Sequence, residues 1–372
     1  MSDLFLYGTL RYVPLLERVL GRPEAQLNLE VANLADHQVC SVKDQSFPAI
    51  TPALGQVAQG VLLRDVTDAD LAALNYYEGG FDYDLRQVEV ETKTSGRLSA
   101  QVYFPRPGAW VLAAPWDLQG WIERWGPMTL RAAEEVMAYQ GRLSAADMVN
   151  CFPSVRRRAA SWLVAQARSE DPERRLAEDV VVHHHKRAYV NFFAMEEMDL
   201  QFRRYDGSMS PVMNRCVALV GHAAVVLPYD PLRDEVLLVE QFRAATFIAG
   251  EKRPWMWEPV AGLIDPGETP ENTARREAME EAGVEIGALE CVSSAYPSSG
   301  ASGEFIHIFV GLADLSDIQG GGGLASEGED LRSKILSYDA LMAGIDAQEY
   351  QDLPLIAAAL WLSRHRERLR NP

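Results

Sequence analysis

Apolar residues along this chain follow two different periods, and the periods change in blocks. Residues 3–7 alternate as a short strand that stops at Gly8, and 12–20 carry helical spacing. β-Branched alternation returns near 59–63, 85–93 and 98–104, and Thr67 is placed to cap a helix over 67–76. These elements predict a compact α+β unit closing near residues 105–107. Residues 115–170 then turn helical. Trp121, Trp125, Leu130, Ala133 and Met137 recur three to five residues apart, followed by Val155, Ala159, Trp162 and Leu163, the stripe of a buried helix face. The charged, proline-containing stretch 168–178 reads as a linker.

A second α+β pattern follows. Strands are expected over 180–182, 189–193, 200–203, 217–227 and 235–240, with a turn at 230–234. A helix is expected over 270–282, strands near 289–296 and 304–313, a glycine-rich loop over 319–328 and a last helix over 352–368. There is no internal repeat. The chain of 372 residues thus divides into a domain over 1–106, a helical connector over 107–178 and a second domain over 179–372.

Composition narrows the function. Hydrophobic residues make up 48% and charged residues 24%, so each half has the means to bury a core. The net charge of −18 argues against non-specific binding to nucleic acid or an anionic membrane, both of which need clustered Lys and Arg. An anionic substrate remains compatible if a divalent cation supplies local positive charge. Cys40, Cys151, Cys216 and Cys291 are widely spaced, which fits neither a disulfide framework nor a zinc site. The first residues lack a basic region followed by a long apolar run, and no stretch approaches the ~18 apolar residues of a membrane span, so a cytoplasmic location is expected.

The chemistry concentrates around the helix expected at 270–282. Thr269 suits its N-cap, Pro270 its first position and Gly283 the left-handed residue that ends it. At about 100° per residue, Glu277, Glu280 and Glu281 share one arc, and Ala274, Ala278 and Ala282 form the adjoining stripe. Like charges three and four residues apart repel, and a hard cation with oxygen ligands removes that penalty. Acidic arcs are common on solvated helices. Here, however, the arc follows a loop in one fixed spacing: Gly262, five residues, Glu268, seven residues, Arg276 and Glu277, two residues, Glu280 and Glu281, one residue, Gly283, then Val284.

That spacing resembles the Nudix box, with Ala278 where a larger aliphatic residue is common. The resemblance implies an α/β/α sandwich and a Mg²⁺-dependent hydrolase, with Mn²⁺ as an alternative. It assigns Glu277, Glu281 and the carbonyl of Ala261 to the metal, with Glu280 a secondary candidate. Gly262, Glu268, Arg276 and Gly283 fix the loop and helix. Further likeness, at 202–207, 221–231, 239–243, 257–262, 324–331 and 360–362, is to bacterial ADP-ribose pyrophosphatases. It implies a small nucleoside diphosphate sugar as substrate and a homodimer. It places Arg243 on the diphosphate, Arg215 on the substrate from its own or a partner subunit, and Phe192 or Phe193 on the adenine. Glu327 would be the general base and Glu329 a further metal ligand, on a loop hinged at glycines 320–323. Ser299 stands where proline is common in ADP-ribose hydrolases, which leaves another nucleoside diphosphate sugar open as substrate.

In the first domain, Tyr7, Gly8, Thr9 and Leu10 end a strand at a glycine, and Glu78 stands beside Tyr76 and Tyr77 at a helix end. Burial there would raise the pKa of Glu78 and make it a usable base. With 47–50 and 59–62, these pieces resemble the γ-glutamylcyclotransferase (AIG2-like) fold, a small barrel. The resemblance implies a γ-glutamyl pocket at Tyr7–Leu10 and a general base at Glu78. Joined to such a Nudix domain, it is similar to tellurite-resistance-type proteins. A non-catalytic binding or dimerisation module is the alternative. His183, His184 and His185 lie in a strand region, so neighbouring rings point to opposite faces and make a poor metal site. His222 and His307 read as core histidines.

Overall fold

The structure, a computed structural model, describes residues 2–78, 83–318 and 330–371. The chain forms two compact units, Met1–Ser169 with Tyr189–Phe192, and Glu170–Ala188 with Phe193–Pro372.

The first unit contains β1 (Ser2–Leu6), 3-10 turns over Thr9–Arg11 and Glu24–Gln26, α1 (Val13–Leu20), β2 (Asn28–Val42) and β3 (Pro48–Val66). It continues with α2 (Asp68–Glu78), β4 (Tyr83–Thr92), β5 (Gly96–Pro105), β6 (Leu112–Pro115), α3 (Leu118–Met137) and α4 (Ala145–Gln166). Five strands run in the order β3-β1-β5-β4-β2, and β2 pairs back onto β3, which closes a barrel with no open edge between them. Among the described residues, only β6 adds outside this ring, on β2. Gly60 permits the closure, because a Cβ there would sit 2.4 Å from the ring of Phe5. The long hairpin β2–β3 exceeds the expected strand at 59–63, since mixed burial along β2 hides its alternation. Thr67 Oγ1 accepts the Asp70 N–H while the Asp70 carboxylate accepts that of Thr67, a reciprocal cap for α2.

The segment expected as a helical connector is not one. Trp121 and Ala133 of α3 pack with Leu4, Leu15 and Leu74, and Met128 and Ala132 pack with Val155 and Ala159 of α4. The periodic apolar stripe therefore has its partner within the first unit, which extends to Ser169. Arg158 of α4 is buried against Glu135 of α3 and donates to the carbonyl of Phe192 at 2.8 Å.

The second unit holds α5 (Leu176–Asp179), β7 (Val180–Val190, shared with the first), β8 (Ala194–Phe202), β9 (Met213–Leu219), β10 (His222–Asp230) and β11 (Glu235–Phe242). Then come α6 (Ala244–Ile248), β12 (Trp255–Glu258), β13 (Val260–Leu263), α7 (Pro270–Ala282), β14 (Leu289–Ala295) and β15 (Phe305–Leu312). The last elements are β16 (Arg332–Ser337), α8 (Tyr338–Asp346) and α9 (Leu353–Arg370). The strand expected over 217–227 is broken at Gly221, whose φ of 138° suits glycine alone, so the chain leaves one sheet and enters another. β10 is buried along its whole length. Ala223, Val225, Leu227 and Tyr229 face a core built with α8 and α9, whereas Ala224 and Val226 face the alanines of α7. That two-sided burial is the α/β/α sandwich the box resemblance implied. No helix among the described residues is long and apolar enough to cross a membrane.

Candidate functional site

Helix α7 has the expected bounds. Thr269 accepts the N–H of Asn272, Pro270 opens the helix and Gly283 closes it at φ 63°. The Val284 N–H returns to the carbonyl of Ala278 at 3.0 Å, as in a Schellman turn. Ala274 and Ala278 are fully buried against Val226 and Val260, so the helix lies close on the sheet. This seating aims the acidic arc at β13. Glu281 is 2% exposed and accepts the Ala261 N–H at 3.2 Å.

Gly262 explains itself at this contact. A Cβ on it would meet Oε1 of Glu277 at 1.9 Å, so only glycine lets that carboxylate cross the strand. Glu277, Glu281 and the Ala261–Gly262 backbone therefore meet at one place. Arg276 removes much of the repulsion. It donates to both oxygens of Glu268, at 3.0 and 3.1 Å, and to Glu277 and Glu280 at 2.8 Å each. Thr273 donates to Glu268 at 2.7 Å. Burial would raise the pKa of Glu268, but the hydrogen bonds from Arg276 and Thr273 outweigh it and hold the carboxyl below its ordinary value. The same bonds hold the Arg276 guanidinium firmly charged.

Arg243 comes to the same region. Its Nε donates to Glu258 at 2.9 and 3.0 Å, and its charge is felt by Glu281 and Asp352. Burial opposes that charge, but Glu258, Glu281 and Asp352 together keep it above its ordinary pKa. Sequence reasoning missed three acids here. Glu258 is 5% exposed and forks onto Arg243. Asp352 caps α9 through the Leu355 N–H at 2.9 Å, and burial, then the charge of Glu258, pushes its pKa up to about 7. Glu304 is raised by burial against the pull of Arg243. An Asp directly before Leu-Pro is a cap signal, but nothing local announces its neighbours.

Arg215 and Phe192 were also expected at the substrate. Arg215 is exposed on β9, within the three-stranded sheet β7-β8-β9, where it donates to the Asn214 carbonyl. Phe192 belongs to the first unit and is 49% exposed, held there because Arg158 binds its carbonyl. Glu327, Glu329 and glycines 320–323 lie outside the described residues. Among the described residues no three His, Cys, Asp or Glu side chains converge as a metal cage. The donor set present is nonetheless all oxygen, two carboxylates and a carbonyl beside a cradle that a Cβ would fill, and it fits a hard divalent cation.

The first unit has its own pocket. Tyr7, Gly8, Thr9 and Leu10 line it together with Glu78. Tyr77, Tyr83 and Tyr103 surround the same space. Burial pushes Glu78 up to about 7 from an ordinary 4.5. Burial, then Tyr83 and Glu78, raises the Tyr7 phenol. Tyr103 donates to Asn75 at 2.6 Å. A carboxyl that changes charge near neutrality can accept and return a proton.

Comparison with known proteins finds two family matches along the chain. Residues 220–356 match the NUDIX domain family, and residues 4–120 match "Gamma-glutamyl cyclotransferase, AIG2-like". An ADP-ribose pyrophosphatase of Escherichia coli strain K12 is 37% identical over 193 residues, spanning 52% of this chain and 92% of that protein. One from Haemophilus influenzae is 35% identical over 164 residues, spanning 44% and 76%. A GDP-mannose pyrophosphatase of Escherichia coli is 34% identical over 165 residues, spanning 44% and 83%.

Proposed function

Because the chain belongs to the Nudix hydrolases, with an AIG2-like domain ahead of the Nudix unit, we propose that it hydrolyses the diphosphate bond of ADP-ribose to AMP and ribose 5-phosphate. The observation that carries this is the seating of Glu277 across Gly262 beside Glu281 and Ala261. Glu277, Glu281 and the Ala261 carbonyl would hold Mg²⁺, or Mn²⁺ in its place. Bound there, the cation neutralises diphosphate charge and polarises a phosphoryl oxygen.

The rest is done by the chain. Arg276 keeps the acidic arc in register by tying Glu277 and Glu280 to Glu268. Arg243 is steered by Glu258 through Nε and Nη2, which leaves its Nη1 group outside that fork to face a diphosphate oxygen. By the family resemblance Glu327 accepts the proton of the attacking water, with Glu329 as a further ligand. Arg215, exposed on its own subunit, serves a partner's site in a homodimer. Phe193 takes the adenine contact. A cytoplasmic location belongs to the same proposal.

A panel of nucleoside diphosphate compounds with Mg²⁺ and product identification is the direct test. ADP-ribose among the poorest substrates refutes the substrate and leaves the hydrolase. The GDP-mannose pyrophosphatase likeness makes another nucleoside diphosphate sugar the second reading. Sedimentation as a monomer removes the dimer.

For the first unit the enclosed Glu78 favours γ-glutamyl cyclotransfer over a purely structural module. Release of 5-oxoproline by the wild type and its loss in Glu78→Gln tests this.

A further inference from the structure

Arg243 follows β11, and its main chain is pinned on both sides. Its N–H donates to the Pro254 carbonyl at 2.8 Å, and its own carbonyl accepts the Thr246 hydroxyl at 2.8 Å. The freedom left is that of the side chain, which is 39% exposed while that of Glu258 is 7% exposed. Glu258 takes Nε and Nη2, whereas Nη1 donates to no described residue. One edge of the guanidinium is therefore held and the other is not.

A second carboxylate reaches this arginine from the start of α9. Oδ1 of Asp352 accepts the Leu355 N–H at 2.9 Å, and Leu355 is fully buried in the core. The residues just before Asp352 are fixed as well. The Tyr350 ring packs where a Cβ on Gly344 would meet it at 2.5 Å, and the Tyr350 hydroxyl accepts from Lys334 at 3.2 Å. Oδ2 of Asp352 takes no hydrogen bond among the described residues. The charge of Asp352 acts on Arg243, and those of Glu258 and Arg243 act on Asp352. Two carboxylates, one on β12 and one opening α9, thus bear on one guanidinium. Capping does not account for the acid. Asn caps a helix as well as Asp, and here the charge is opposed by burial and by Glu258. A charge that costs the fold, on a side chain whose cap needs none, is the mark of a functional position.

We infer that Asp352 is a positioning residue for diphosphate hydrolysis: when ionised it restrains Arg243 alongside Glu258, which aligns the guanidinium and loosens its hold on bound substrate. The inference rests on the proposed function, with Arg243 on the diphosphate. Two anions narrow the directions in which the guanidinium donates, and they compete with the diphosphate for it. Removing one tightens ground-state binding and loses alignment. Glu258 and Arg243 bear directly on Asp352, and Lys334 of β16 reaches its segment through Tyr350. Glu281 of α7 bears on Arg243, and Arg243 in turn on Glu304. Asp352, raised to about 7, is mostly neutral at pH 5.5 and ionised at pH 8.5. Comparison with Asp352→Asn at each pH isolates it from Glu304, which is also raised.

The full chain, Asp352→Asn, Arg243→Lys and the double variant are assayed on ADP-ribose with saturating Mg²⁺ at both pH values. At pH 8.5 Asp352→Asn should lower kcat and KM together, each by about 3- to 10-fold. At pH 5.5 it should match the wild type. On the Arg243→Lys background it should change neither constant. A lower kcat with unchanged or higher KM, or the same change at both pH values or on both backgrounds, overturns the inference, because a merely structural loss has that form. Wild-type kinetics in Asp352→Asn beside an impaired Arg243→Lys also overturns it and leaves the proposed function standing. An unimpaired Arg243→Lys takes Arg243 off the diphosphate, and the inference falls with it. If ADP-ribose is not turned over, the proposed substrate fails and calorimetric titration with ADP-ribose and Mg²⁺ decides the inference. Tighter binding by Asp352→Asn at pH 8.5 alone, absent on the Arg243→Lys background, upholds it. Equal binding, or none, overturns it.

Discussion

Glu78 and Glu268 are carboxylates of the same kind in opposite surroundings. Glu78 sits among tyrosines in the barrel pocket, and burial drives its pKa up to about 7. Glu268 is also pushed up by burial, but Arg276 and Thr273 more than reverse the push. The first arrangement yields a group able to gain and lose a proton near neutrality. The second yields a fixed charge that shapes the proposed cation site. Burial is common to both, so the presence of a fixed guanidinium separates an acid–base group from a structural anion.

The largest effect that sharpens this contrast is at the cation site. Glu281→Gln keeps the shape and removes one charge, and diphosphate hydrolysis should fall roughly a thousandfold in kcat with unchanged circular dichroism. Chelation should abolish the same activity and Mg²⁺ restore it. Unchanged turnover in Glu281→Gln would sink the assignment of α7.

At the other site the signature is pH. A carboxyl raised from 4.5 to about 7 supports the fold fully below about 4.5 and loses that support as pH rises through about 7. The cost above pH 7 is up to about 3 kcal/mol. Thermal unfolding of the first unit should therefore weaken from pH 5 to pH 8, and Glu78→Gln should flatten that slope. A parallel slope in the variant breaks the comparison.

Gly262→Ala comes next. Its methyl group falls where Glu277 lies, so the carboxylate must leave or the strand must shift. Stability should drop by about 1–3 kcal/mol, and hydrolysis should fall further than that loss of folded protein explains. Equilibrium unfolding beside kcat distinguishes the two. The smallest effect is at Asp352, whose raised value near 7 costs stability as pH rises through it. Asn caps a helix as well as Asp, so Asp352→Asn changes the charge alone. It should gain about 1 kcal/mol above pH 7, discounted for Arg243 nearby, and nothing near pH 4. Denaturant midpoints at the two pH values check this.

Much of the proposed cation site is legible in sequence because its logic is local. Thr269, Pro270 and Gly283 bound α7, and a fixed spacing places Glu277, Glu280 and Glu281 on one arc. The barrel was less legible. β2 and β3 form a long hairpin whose burial alternates irregularly, and the helices after residue 115 read as a connector because a periodic stripe does not name its partner. Phe192 was read with the Nudix unit, yet Arg158 binds its carbonyl in the first unit.

By itself the sequence determined what neighbours within a few turns can determine: the bounds of α7, its acidic arc, the glycine at 262 and the strand end at Tyr7 and Gly8. Helical period and cap chemistry act over a few residues, so a reading of spacing captures them. Only the tertiary structure decided which carboxyl would be ionised and which poised. Glu258 meets Arg243 across paired strands, Asp352 arrives from the last helix, and Arg156 enters the barrel pocket from α4. Desolvation and charge fall off with distance in space, not along the chain, and the folded chain alone sets those distances.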